Sequence, residues 1–172
     1  MTISVATTPS VRPAAFGQRT LSPRVCIADN KPHIRTFLAD ALEDLGFITF
    51  ECARAADLRS LLDTQMFNLV VLGLSAGGIE AGKVLETLAS ANFRGKVMPV
   101  AVPDSILSFA TRQMARELGI ATLPTLPTPF SAETLRHSVA PLIPTEAPPS
   151  PAVDVAEALK AGWLELWYQR KI

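Results

Sequence analysis

Few residues in this 172-residue chain are of types that do chemistry, and they stand apart. The two histidines, His33 and His137, both fall within helical patterns, where a solvent-facing imidazole is the expected reading. The two cysteines, Cys26 and Cys52, cannot build a disulfide framework, and reduced thiols are the default for so small a set. On adjacent strands they read as small buried apolar side chains rather than a redox pair. A carboxylate and an amide, Asp29-Asn30, close an apolar run, and Gly73 closes a second one. Gly77-Gly78 lacks the GxxxxGK[ST] flanks of a phosphate loop.

The elements that would position these residues alternate. Arg24–Ala28 reads as a strand, and Pro32 fits the first turn of a helix carrying Ile34, Leu38, Ala41, Leu42 and Leu45, ended by Gly46. Phe47–Cys52 is a second strand, and Leu58, Leu61 and Leu62 mark a second helix. Leu69–Leu74 is continuously apolar, as befits a strand buried on both faces. Val84, Leu85 and Leu88 mark a third helix. Val97–Val102 is a fourth strand, with Pro99 counting against it. Ile106, Phe109, Ala110, Met114 and Leu118 form the apolar stripe of a fourth helix, ended by Gly119. Ala121–Leu126 is a weak fifth strand suited to a sheet edge, because of Pro124 and the following Pro127. Ser131 caps a fifth helix with Ala132, Leu135, Val139 and Leu142. Five βα units imply a doubly wound, flavodoxin-like parallel sheet in the order 2-1-3-4-5, with its crevice at the carboxyl ends of strands 1 and 3, at Asp29, Asn30 and Gly73.

Charge and proline set the boundaries. Sixteen Lys and Arg balance sixteen Asp and Glu, so no basic footprint points to nucleic acid or an anionic membrane. No apolar run is long enough to span a bilayer, and a cytoplasmic location is expected. No acidic residue precedes Asp29; residues 1–22 read as a flexible tail, with a transit peptide as the lesser alternative. Residues 23–143 are the folded unit. Residues 144–151, four of them proline, read as an extended linker. Beyond it, Ala152, Val155, Ala156 and Leu159 form a short amphipathic helix, and Trp163–Gln169 alternates as a strand. This overhang holds Trp163, Trp167 and Tyr168, which should pack on the rest of the chain or on a second copy.

Residues 23–143 resemble the receiver domain of bacterial two-component response regulators. The resemblance is carried by RVCIADN, RTFLADALEDLGF, NLVVLGLSAGG, and LPTPF followed by SAETL, in that order. It implies two acids binding Mg²⁺ after strand 1, a phosphoryl-accepting Asp after strand 3, a Thr or Ser after strand 4, and a Lys before a cis-proline after strand 5. This chain keeps Asp29, has Asn30 in place of the second acid, and has Gly73 in place of the acceptor. The Thr/Ser position falls around Pro103-Asp104-Ser105, and Thr128 replaces the Lys ahead of Pro129-Phe130. Glycine can form no acyl phosphate, and one carboxylate holds Mg²⁺ weakly at most. The expectation is a pseudo-receiver without catalytic residues or a bound cofactor. The alternative is an atypical regulator phosphorylated at Ser75 or Asp29. The resemblance further implies partner contacts through Arg112, Arg116, Arg136 and Phe130, with an upstream protein or in a homodimer. Residues 152–172, in EALKAGWLELWYQRKI, resemble the opening of an EAL-type cyclic di-GMP phosphodiesterase domain, with Arg170 where that family has proline. That implies a downstream phosphodiesterase as the regulated output. The chain would otherwise be read as a fragment of the active enzyme.

Overall fold

The structure, a computed structural model, describes residues 22–143. Along the chain run β1 (Arg24–Ala28), α1 (Pro32–Glu43), β2 (Ile48–Cys52), α2 (Ala55–Thr64), β3 (Leu69–Gly73), α3 (Ala81–Ser90), β4 (Lys96–Ala101), α4 (Ile106–Glu117), β5 (Ala121–Thr122), β6 (Leu126–Pro127) and α5 (Ala132–Val139). A 3-10 turn, Ala140–Leu142, follows. The strands are parallel in the order β2-β1-β3-β4-β5, with β6 also on β4. This is the expected doubly wound sheet. The helix, strand and aromatic residues expected at 152–172 lie outside the described residues.

Strand periodicity builds the two layers. Side chains alternate across a strand, so Val25, Ile27, Leu69 and Val71 pack beneath α1 and α5 with Leu38, Leu42, Leu135 and Val139. Cys26, Ala28, Val70 and Leu72 face the other way, against Leu58, Val84, Leu85 and Leu88 of α2 and α3. Each such leucine is stabilised by roughly 1.5–3 kcal/mol of apolar burial. Helix ends follow local chemistry: the Ser131 hydroxyl accepts from the Thr134 amide at 3.1 Å. Gly46 and Gly119 take φ of +87° and +71° after α1 and α4, a conformation in which a Cβ is strained.

Two expectations need correction, and Pro99 explains the first. The fifth strand is not continuous over 121–126. It is two two-residue strands, pairing β4 at Lys96-Val97 and at Val100-Ala101. The carbonyls of Val97 and Ala101 accept from Leu123 and Thr128, whereas that of Val100 accepts from Leu74 on the β3 side. By alternation, the nitrogen of Pro99 faces the fifth-strand side. It has no hydrogen to donate, and the ladder is interrupted there. A proline therefore sits in an interior strand because the neighbouring strand is broken opposite it.

The second correction concerns α4. The stripe Ile106, Phe109, Ala110, Met114 and Leu118 is not its inner face. Ser108, Thr111 and Ala115 point inward, while Ile106 and Phe109 are 85% and 74% exposed. The Ser108 hydroxyl is hydrogen-bonded to that of Thr125 at 2.8 Å, which fixes the helix against the gap between β5 and β6. The small inner residues face the sheet, Ile106 and Phe109 are left facing water, and Met114 is half-buried against the core on the α2–α3 side. Urea unfolding checks this rotation. Leu85→Ala should destabilise by about 2–5 kcal/mol, whereas Phe109→Ala should change stability by no more than about 0.5 kcal/mol.

Candidate functional site

The carboxyl ends of β1 and β3 bring Asp29 and Gly73 together. Asp29 is buried immediately after β1, and its amide donates to the Cys52 carbonyl of β2 at 3.2 Å. Its Oδ1 accepts from the Lys31 amide at 2.7 Å, closing the turn into α1. Its Oδ2 lies over Gly73. A Cβ on residue 73 would stand 1.8 Å from that oxygen and 2.6 Å from the Asp29 Cγ. Non-bonded heavy atoms do not approach so closely, so a side chain at 73 and this Asp29 conformer exclude each other.

The other predicted residues are distributed around this pair. Asn30 is exposed, and its Nδ2 donates to the Gly77 carbonyl at 2.9 Å, tying the β1–α1 turn to the loop after β3. Ser75 lies in that loop; its Oγ is buried with no hydrogen-bond partner among the described residues. A Cβ on Gly78 would lie 2.7 Å from the same oxygen, which accounts for a glycine there without any phosphate. Asp104 and Ser105 line a separate hollow of about 550 Å³ with Phe109, Arg112 and Thr125. Thr128 donates its amide to the Ala101 carbonyl at 2.9 Å, and the Thr128-Pro129 peptide is cis.

Arg112 and Arg116 share one flank of α4 beside Gly119 and Thr122. Arg136 instead lines a hollow between α1 and α5 with Phe37 and Asp40. Phe130 is partly buried, its ring 5.7 Å from that of Phe37 and tilted against it. His33 and His137 are exposed on α1 and α5. Cys26 and Cys52 are buried on neighbouring strands. The neighbouring Cys52 thiol, reinforced by burial, pushes the Cys26 pKa above its ordinary value. Cys52 Sγ donates in turn to the Arg54 carbonyl at 3.1 Å.

Nothing in the residue pattern marks Arg35, yet it supports the turn. Its guanidinium donates to the Asp29 carbonyl at 2.9 Å and pairs with Glu51 of β2 at 2.8 Å. Two such charge-assisted bonds hold the ends of β1 and β2 in register.

The donor set does not fit Mg²⁺. That ion demands near-octahedral oxygen coordination and dehydrates reluctantly. Here Asp29 already spends one oxygen on a backbone amide, and Asn30, its nitrogen turned to a loop carbonyl, has only a neutral amide oxygen to offer. Among the described residues no three His, Cys, Asp or Glu side chains gather as ligands. No described helix is long and apolar enough to cross a membrane.

Neither a protein-family model nor a curated protein sequence matches the chain. Solved structures do match it. A response regulator from Colwellia psychrerythraea superposes with a TM-score of 0.60 at 17% identity, over 70% of this chain and 95% of that one. The fold is that of a receiver domain. The chemotaxis protein CheY4 of Vibrio cholerae gives 0.57 at 15% identity, over 70% of this chain and 98% of its own. A Francisella response-regulator receiver domain gives 0.55 at 21% identity, over 71% and 97%. At such identities the likeness carries the receiver fold, and the chemistry must be argued from the residues present.

The exclusion between Asp29 and residue 73 has a measurable signature. Gly73→Ala must rotate Asp29 away and release the Lys31 amide, destabilising the domain by about 1–3 kcal/mol. In an Asp29→Ala background that penalty should largely vanish. A double-mutant cycle by urea unfolding measures the coupling, and additive losses would contradict the geometry.

Proposed function

We propose that this chain is a receiver-type regulatory module that takes no phosphoryl group at position 73, catalyses nothing itself, and works through contacts with protein partners. The observation that carries this reading is the Asp29 carboxylate standing where a side chain on residue 73 would begin. An acyl phosphate needs a carboxylate at the strand 3 end and room for a tetrahedral group beside it. Position 73 offers neither. Thr128, ahead of the cis-proline, supplies a neutral hydroxyl where a cation would be needed to draw a phosphoryl oxygen.

The contact role is supported by the outward face of α4. Ile106 and Phe109, with Val102 at 63% exposure, form an apolar strip bordered by Arg112. Apolar surface of this kind with a charged margin suits a protein surface, either an upstream sensor or a second copy of the chain. The resemblance of EALKAGWLELWYQRKI to the start of an EAL-type domain supports a cyclic di-GMP phosphodiesterase as the output that this module regulates.

Labelling with Mg²⁺ and radioactive acetyl phosphate tests the reading. No covalent label is expected, and beryllofluoride should leave the amide spectrum around Asp29 and Gly73 unshifted. Stoichiometric label, mapped to Ser75 or Asp29 by peptide analysis, would reinstate a phosphorelay role and overturn the proposal.

A further inference from the structure

We infer that residues 144–159 lie along a groove at the amino-terminal edge of the sheet, so that the chain leaving the domain is held against it. The groove, about 600 Å³, forms where β1, β2 and β4 begin and the loop enters β3. Its apolar walls include Ile48 and Met66, which are 44% and 84% exposed, together with Leu142. Its charged walls are Arg24, Arg94 and Lys96, and no acidic side chain lines it among the described residues.

Two features identify the occupant. The first is continuity. Leu142 is itself a wall of the groove and stands two residues before Pro144, so the following chain sets out from inside it. The second is charge. Residues 144–159, PTEAPPSPAVDVAEAL, carry Glu146, Asp154 and Glu157 and no cation; the next cation is Lys160. Three negative charges therefore meet three positive ones. Val155 and Leu159, on the apolar face of the short helix read from the sequence, supply apolar surface to match Ile48 and Met66.

The lengths and the backbone chemistry agree. An extended, proline-rich stretch rises roughly 3.1 Å per residue, so 144–151 reaches about 25 Å. The first residues of four strands spaced about 4.8 Å apart span only about 14 Å, so the acids past the prolines can reach every cation of the groove. Prolines 144, 148, 149 and 151 bring no amide hydrogens that would be stranded against an apolar wall. Exposed ion pairs are individually weak and screened by salt, so the association should depend on ionic strength. The inference stands independently of phosphoryl chemistry.

Zero-length carbodiimide cross-linking of the full 172-residue chain, read by peptide mass spectrometry, tests it. Lys96 should be joined to Glu146, Asp154 or Glu157 within one chain. Mixing isotopically heavy and light chains separates this from links between copies. The yield should fall about threefold or more in Arg94→Glu, or when salt is raised several-fold, because screening weakens the attraction. Independently, amide exchange at residues 94–96 should quicken in the triple variant Glu146→Gln/Asp154→Asn/Glu157→Gln. The inference fails if these acids link to Lys31 or Lys83 instead, if links to Lys96 join only different copies, or if exchange in the groove is unchanged.

Discussion

Asp29 Oδ2 and the bare α-carbon of Gly73 share one small volume at the carboxyl end of the sheet. The surrounding arrangement depends on that sharing. Because residue 73 ends in hydrogen, the Asp29 carboxylate can turn inward over β3 while its other oxygen closes the turn into α1. Because the turn is closed, Arg35 is placed to bridge the Asp29 carbonyl and Glu51. Asn30 is left free to reach the loop after β3. In a crevice suited by topology to an anion, the molecule has placed a carboxylate of its own and held it with backbone hydrogen.

The receiver fold is complete in its architecture. The parallel order, the two apolar layers and the cis peptide before Pro129 are all present. The side chains at the carboxyl edge, Asp29, Gly73 and Thr128, belong to a different level of specification. A sheet buried on both sides is specified by its alternating apolar residues, and these are insensitive to whether residue 73 bears a carboxylate. Scaffold and chemistry can therefore diverge separately.

The legible and illegible parts of the molecule divide along the same line. The run Leu69–Leu74, the prolines at strand and helix ends and the Ser131 cap each act locally, and they announced five βα units and the edge position of strand 5. Gly73 stood out at the end of the third strand, but the contact that its bare α-carbon permits did not, since that depends on a side chain 44 positions earlier. Arg35 was silent for the same reason: its partners lie across strands. The α4 stripe misled because residues at helical spacing mark a face without saying which way it turns, and small Ser108, Thr111 and Ala115 won the inward position by close approach. Pro99 looked like an argument against a strand because its tolerance depends on a break in the neighbouring one.

That break shapes what the sheet can do beyond this molecule. A parallel sheet with a long, regular rim is a template on which another chain can add a strand. Here the rim past β4 is made of two fragments of two residues each, separated by Leu123–Thr125 and flanked by Pro124 and Pro127. No incoming strand finds more than a short stretch of free backbone there. The opposite rim, β2, offers five consecutive residues. Among the described residues the domain is thus asymmetric as a polymerisation surface: blunted on one side by the same proline that shapes its fourth strand, and presenting a continuous strand for backbone pairing along the other.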